Sequence, residues 1–170
     1  KEKFVTAAVR AHKAGFEGVE INAACNHLLN SFMSRAWNKR QDDCGCGSME
    51  SWAKIVVEII EETKKRLGQD FAIVALLNGV EAGLEDGITM EEAKEFARLF
   101  EKAGADAIHV RTEFYTKPRD TRKRDSTHFP DIYFYPESPE PVDPLVDKSG
   151  YGKGASVLMA AEIKKVVRVP

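Results

Sequence analysis

Asn22, Cys25, Asn26 and His27 fall in one short run of the chain, and each side chain can do chemistry. An asparagine amide donates and accepts hydrogen bonds and so can grip a carbonyl oxygen. A cysteine becomes a nucleophile where a helix N-terminus stabilises its thiolate, and a histidine can pass a proton near neutral pH. The same run admits a plainer reading, with Asn22 and Asn26 capping a following helix, Cys25 packed inside and His27 on the surface. Cys44-Gly45-Cys46 offers two thiols with a single residue between them. Structural zinc sites space their cysteines by about two to four residues and need four ligands, so no metal is expected here. A third run, Lys117, Arg119, Arg122, Lys123 and Arg124, suits a phosphate or carboxylate. Asp120, Asp125 and Asp131 stand beside it, which also fits a solvated mixed-charge loop. Tyr115, Tyr133, Phe134 and Tyr135 in that stretch are candidates for a lid, or simply for packing.

The elements that must position these groups alternate in type. Phe4, Ala7, Ala8 and Ala11 recur at helical spacing over 3–14, and Gly15 suits the helix end. Residues 16–22 read as a short strand and 26–34 as a short helix, followed by a polar loop over about 35–47. Ser48 can cap a helix that runs to Leu67 and stops at Gly68. The apolar run 71–77 suits a strand buried on both faces of a parallel sheet. Thr89 and Glu92 form a capping box for a helix ended by Gly104, and 105–110 is the next strand. A long stretch over about 112–152, rich in Pro, Asp, Arg and Tyr, interrupts the rhythm as an insertion loop. Residues 154–166 return to helix, with Val169-Pro170 leading towards a further strand.

Such alternation predicts a parallel sheet. A faint repeat supports it: Lys13-Ala14-Gly15 and, after three residues, Val19-Glu20-Ile21 resemble Lys102-Ala103-Gly104 and Ile108-His109-Val110. Pattern alone fits both a barrel and an open sheet, although the first strand-to-helix turn carries no Gly-x-Gly-x-x-Gly. In a parallel barrel the chemistry lies at the C-terminal strand ends, which selects 22–27, 78–81 and Arg111 onward.

Bulk properties narrow the classes. At 170 residues with 43% hydrophobic and 31% charged, the chain has the composition of a globular domain but is short for a whole (β/α)8 barrel, which takes about 250 residues. Its formal charge of -2 gives no electrostatic case for nucleic acid or an anionic membrane. No apolar run approaches the roughly 20 residues of a membrane span. Three cysteines in a helix-and-strand sequence argue against a secreted disulfide scaffold, so a cytoplasmic setting is expected. The first residue is Lys1 inside a helical pattern and the last are Val169-Pro170 at the start of a strand pattern, so a segment of a longer protein is expected.

Ordered pieces of the chain resemble the old yellow enzyme family of FMN-dependent ene-reductases and NADH:flavin oxidoreductases. Ala14-Gly15-Phe16-Glu17-Gly18-Val19-Glu20-Ile21 is similar to the strand that leads into that family's active site. Leu28-Leu29-Asn30-Ser31-Phe32-Met33-Ser34 resembles its Leu-Leu-x-Gln-Phe-Leu-Ser segment, and Asn38-Lys39-Arg40-Gln41-Asp42-Asp43 its Asn-x-Arg-x-Asp-Glu segment. Tyr151 to Val166 is similar to the helix before the family's seventh strand. The resemblance implies an α/β fold, a partial (β/α)8 barrel of roughly strands four to six. Residues 1–170 would form a single segment of an FMN oxidoreductase domain, with FMN as cofactor and NAD(P)H as reductant. The family's phosphate site lies on later strands, so the isolated segment is expected neither to enclose FMN nor to turn over. The acceptor would be a small molecule, an activated alkene or similar. Asn22 and Cys25 stand where the family carries its carbonyl-gripping His and His or Asn, and His27 stands at its proton-donating Tyr. Leu76 replaces an Arg or Lys near the flavin. These changes also admit a degenerate, non-catalytic barrel that serves as a binding or interaction module. Open strand edges in a partial barrel further predict self-association.

Overall fold

A computed structural model describes residues 1–82, 84, 86–114 and 155–170. Most of the insertion predicted at 112–152, with its basic run and tyrosines, lies outside the described residues. The described elements are α1 (Glu2–Lys13), β1 (Gly18–Ala23), α2 (Asn30–Met33), α3 (Met49–Leu67), β2 (Ala72–Ala82), α4 (Met90–Ala103), β3 (Ala107–Phe114) and α5 (Ala155–Lys164). The alternation predicted from periodicity is therefore present.

The caps explain where the long helices begin and end. Ser48 Oγ accepts from Ser51 N at the start of α3. At α4, Thr89 Oγ1 accepts from Glu92 N while Glu92 Oε2 accepts from Thr89 N, the reciprocal capping box. Gly104 ends α4 in the left-handed region, with φ 108°, a conformation that costs other residues more.

Three boundaries differ from expectation for local reasons. Helix α2 is confined to Asn30–Met33, because Cys25 and Asn26 have φ of 57° and 56° and no right-handed helix can pass through them. Strand β2 continues beyond the apolar run to Ala82, since Asn78 and Glu81 satisfy each other's polarity inside the fold and polar side chains there do not end the strand. Strand β3 begins at Ala107, after Asp106, and runs on to Phe114.

The three strands form one parallel sheet in the order β1-β2-β3. Gly18 to Ala23 pair with Ala72 to Leu77, and Val74 to Asn78 pair with Ala107 to Arg111. An irregularity in the β2–β3 register follows between Asn78 and Val80. Side chains alternate across the sheet. Ile21, Ala23, Ile73, Ala75, Leu77 and Val110 turn to one face and join a single core with Val56, Ile59 and Ile60 of α3, Phe96 and Phe100 of α4, and Met159 and Ile163 of α5. The other face carries Glu20, Asn22, Val74, Leu76, His109 and Arg111. Beyond β3, Ile108 N donates to Pro170 O at 2.9 Å, so the residues after α5 lie along the strand's other edge.

The sheet curls towards its polar face. Glu20 of β1 and His109 of β3 meet there, Oε2 to Nδ1 at 2.8 Å, across the intervening β2. By hydrogen-bond register Glu20 is level with Val74, and Val74 with Ala107, so the partner of Glu20 lies two residues further along β3. A (β/α)8 barrel with shear 8 steps about one residue per strand, and its interior layers are built by alternate strands. A contact offset by two residues over two strands is what that geometry requires.

Candidate active site at the strand ends

The turn after β1 holds the candidate residues. Asn22 Oδ1 accepts from Ala24 N at 3.0 Å, a local turn that leaves the amide nitrogen as its donor on the polar face. The chain then reverses through the two left-handed residues, Cys25 and Asn26. His27 N donates to Ala24 O and its carbonyl accepts from Ser31 N, which leads into α2. The His27 side chain is exposed, Asn22 is half-buried and Cys25 is 3% exposed. Cys25 packs with Ala24 and Leu76 in a small apolar cluster apart from the main core. Neither Asn22 nor Asn26 caps α2, whose N-cap is Leu29 with no side-chain hydrogen bond.

Strand β2 supplies the support. Asn78 Oδ1 accepts from Cys25 N at 3.2 Å, and Asn30 Oδ1 accepts from Asn26 N at 3.0 Å. Both asparagines turn their amide nitrogens to Glu81 Oε1, at 3.0 Å from Asn78 and 2.9 Å from Asn30. Glu81 Oε2 accepts from Ser34 Oγ at 2.6 Å and from Ile88 N at 3.0 Å. Glu81 is 3% exposed. Sequence reading selected 78–81 only as a strand end and assigned no role to Asn30. The available signal was polar: Asn78 and Glu81 stand three apart at the close of an apolar run.

The two other cysteines lie in the loop before α3, and no disulfide joins the described cysteines. Burial pushes the Cys46 and Cys44 thiols up from their ordinary value, which favours the protonated form. Asp42, Asp43 and Cys44 bring ligand-type atoms within 4.8 Å of one another. Arg40 pairs with Asp42 and Lys54 with Asp43, and these cations hold both carboxyls below the usual range. The loop is further closed by Asn38, whose amide donates to Phe32 O and Cys44 O.

A parallel sheet backed by helices on one face, with polar residues at its strand ends, is consistent with part of an α/β barrel. The chain belongs to the NADH:flavin oxidoreductase / NADH oxidase family, whose profile matches residues 1–133. It is 34% identical over 169 residues to an NADH oxidase of Thermoanaerobacter brockii, covering 99% of this chain and 22% of that protein. Among solved structures it resembles a 2-naphthoyl-CoA reductase in complex with 2-naphthoyl-CoA, at 32% identity and a TM-score of 0.62 over 69% of this chain and 18% of that one. It also resembles morphinone reductase in complex with tetrahydroNAD, at 28% identity and a TM-score of 0.55 over 64% of this chain and 30% of that one. The chain thus spans 22% of the length of the NADH oxidase it matches. The family is one of FMN-dependent oxidoreductases using NADH. The residues present suit the neighbourhood of a flavin in kind: Ala24, Cys25 and Leu76 form a small buried apolar cluster, and the half-buried Asn22 keeps its amide nitrogen as a donor on the polar face.

Proposed function

We propose that this chain forms one wall of the active site of an FMN-dependent NAD(P)H oxidoreductase that reduces an activated alkene or a similar small acceptor. The observation that carries the reading is the position of Asn22 at the C-terminal end of β1 and of Cys25 and His27 on the turn that follows it, where a parallel barrel places its chemistry. FMN, when bound, would supply the hydride chemistry between nicotinamide and acceptor. The work of this chain is to bind, orient and supply protons around that exchange. The Asn22 amide nitrogen donates to the acceptor's carbonyl oxygen and polarises it. The Cys25 thiol is a weak second donor on the same wall. The His27 imidazole, open to the approaching acceptor, holds the proton that the reduced carbon takes up. Leu76, packed with Cys25, would give the flavin an apolar neighbour at this strand rather than a cation.

In the proposed assembly, the three described strands leave the rest of the barrel, including the phosphate site, to other sequence. The 170-residue chain by itself then neither retains FMN nor turns over, and it self-associates through its open strand edges. The apolar contact of Leu76 with Cys25 favours one second reading, a barrel that binds ligand without reducing it. FMN titration followed by flavin fluorescence, on the full-length protein and the chain in parallel, tests both. Binding by the full-length protein alone supports the proposal. Binding by neither favours the non-catalytic reading, and tight binding by the chain alone overturns the placement of the phosphate site.

A further inference from the structure

We infer that Glu81 is a positioning residue that sets the geometry of the turn carrying Cys25 and His27, acting through Asn78 and Asn30. This rests on the proposed function for its catalytic consequence, but not for its structural one.

Glu81 is a buried carboxylate with four donors around it: the amides of Asn30 and Asn78, the Ser34 hydroxyl and the Ile88 backbone N–H. These match the acceptor capacity of a carboxylate, two donors to each oxygen. Asn30 and Asn78 are each 0% exposed. With their nitrogens committed to Glu81, only their Oδ1 atoms remain to accept. Those two oxygens take the backbone N–H groups of Cys25 and Asn26, the two residues in the left-handed region. A non-glycine residue there is strained and persists only where its surroundings hold it. Glu81 therefore fixes which end of each asparagine faces the turn. Without an acceptor at Glu81, either amide can rotate and present N–H to N–H, and the turn loses its two holds. The network draws together β2, α2, Ser34 just after α2, and Ile88 just before α4, so the turn's position is referred to the rigid part of the fold.

Glutamine at 81 keeps size and burial but replaces one acceptor oxygen with a donor. That nitrogen must face either the Asn30 and Asn78 amides or the Ile88 N–H, and each choice opposes donors. Glu81→Gln in the full-length protein is the first variant, and Ser34→Ala, which removes a single donor and keeps the acceptor, is the milder second. Two readouts are taken. The alkylation rate of the Cys25 thiol by iodoacetamide reports loosening of the turn, with Cys46 as internal reference. Steady-state NADH-dependent acceptor reduction and FMN affinity report the site. For Glu81→Gln we expect Cys25 to alkylate at least about tenfold faster with Cys46 unchanged, and acceptor turnover to fall by about 10- to 100-fold at unaltered FMN affinity, the cost of roughly ångström misplacement. Ser34→Ala should move both readouts in the same direction by less. Unchanged Cys25 reactivity in both variants overturns the inference, as does faster alkylation with unchanged turnover, which would make Glu81 merely structural. If the wild-type protein shows no flavin chemistry, the proposed function falls while the Cys25 measurement still decides whether Glu81 holds the turn.

Discussion

Lys64 Nζ donates to Asp106 Oδ2 at 2.7 Å, and the same carboxylate oxygen accepts from Ile73 N at 2.7 Å. Lys64 sits in α3 with its side chain 4% exposed, and it also donates to Gln69 O and Phe71 O at 2.9 Å each. One ammonium therefore ties the end of α3 to the entrances of β2 and β3, at the end of the sheet opposite the site. Its three donors are all used, which is what permits a buried lysine. Lys64→Met keeps the apolar stem but takes this donor from the Gln69 and Phe71 carbonyls and leaves Asp106 Oδ2 with the Ile73 N–H alone. Denaturant unfolding should show a loss of about 2–3 kcal/mol, less than for a fully buried pair because Asp106 can turn to water. A loss below about 0.5 kcal/mol, the range of ordinary surface changes, would remove Lys64 from this role.

The approach of β1 to β2 sets a second expectation. A Cβ on Gly18 would lie 2.5 Å from Ala72 O and 2.7 Å from Ala72 Cβ, both fixed by the strand pairing. Gly18→Ala must push the strands apart and should cost about 1–3 kcal/mol. Gly47, with nothing within 4 Å of its Cβ position, supplies the control. Gly47→Ala should stay within about 0.5 kcal/mol in the same assay. Equal effects from the two substitutions would contradict the register.

Glu101 gives a pH signature. Its carboxylate accepts from Val169 N and Arg168 N, and these hydrogen bonds hold its carboxyl below its ordinary value of 4.5. A depressed folded pKa stabilises the fold above the unfolded value, and that stability is lost as pH falls through the folded value. Glu101→Gln should therefore lower the unfolding midpoint at neutral pH, and the gap to the wild type should close as pH falls through the lowered folded value. A gap of constant size from neutral pH down through that value would show that the carboxylate's charge is not what holds residues 168–169.

Curling of the sheet can be probed through Glu20 and His109. Both side chains are solvent-exposed, so their coupling is modest. A double-mutant cycle of Glu20→Gln and His109→Leu should return about 0.2–1 kcal/mol. Zero coupling would mean that the contact follows from the curvature without contributing to it.

Much of the architecture could be read from local rules. The capping box at Thr89 and Glu92, the Ser48 cap and the apolar run of β2 each depend on a few neighbouring residues, and each appears where periodicity placed it. The left-handed pair at Cys25 and Asn26 was not legible, because the acceptors that hold it, Asn78 and Asn30, are fixed only by tertiary contact. For the same reason the helix predicted from 26 starts instead at Asn30. The candidate residues Asn22, Cys25 and His27 were found together because they are close in sequence. Glu81 was missed as an organiser because its partners come from α2, from Ser34, from β2 itself and from the approach to α4.

The faint repeat gives the Glu20–His109 contact a further meaning. Counted from the glycine that ends the preceding helix, the two residues hold the same place: Gly15 precedes Glu20 as Gly104 precedes His109. The curl brings equivalent positions of two like units face to face. Identical side chains at this seat would oppose glutamate to glutamate or histidine to histidine, and the former pair repels. The two like stretches therefore cannot carry the same acidic residue at the point where they touch without repulsion. An acid facing a base is what lets equivalent positions meet here, and a glutamate at position 109 would set two carboxylates against each other across the curl.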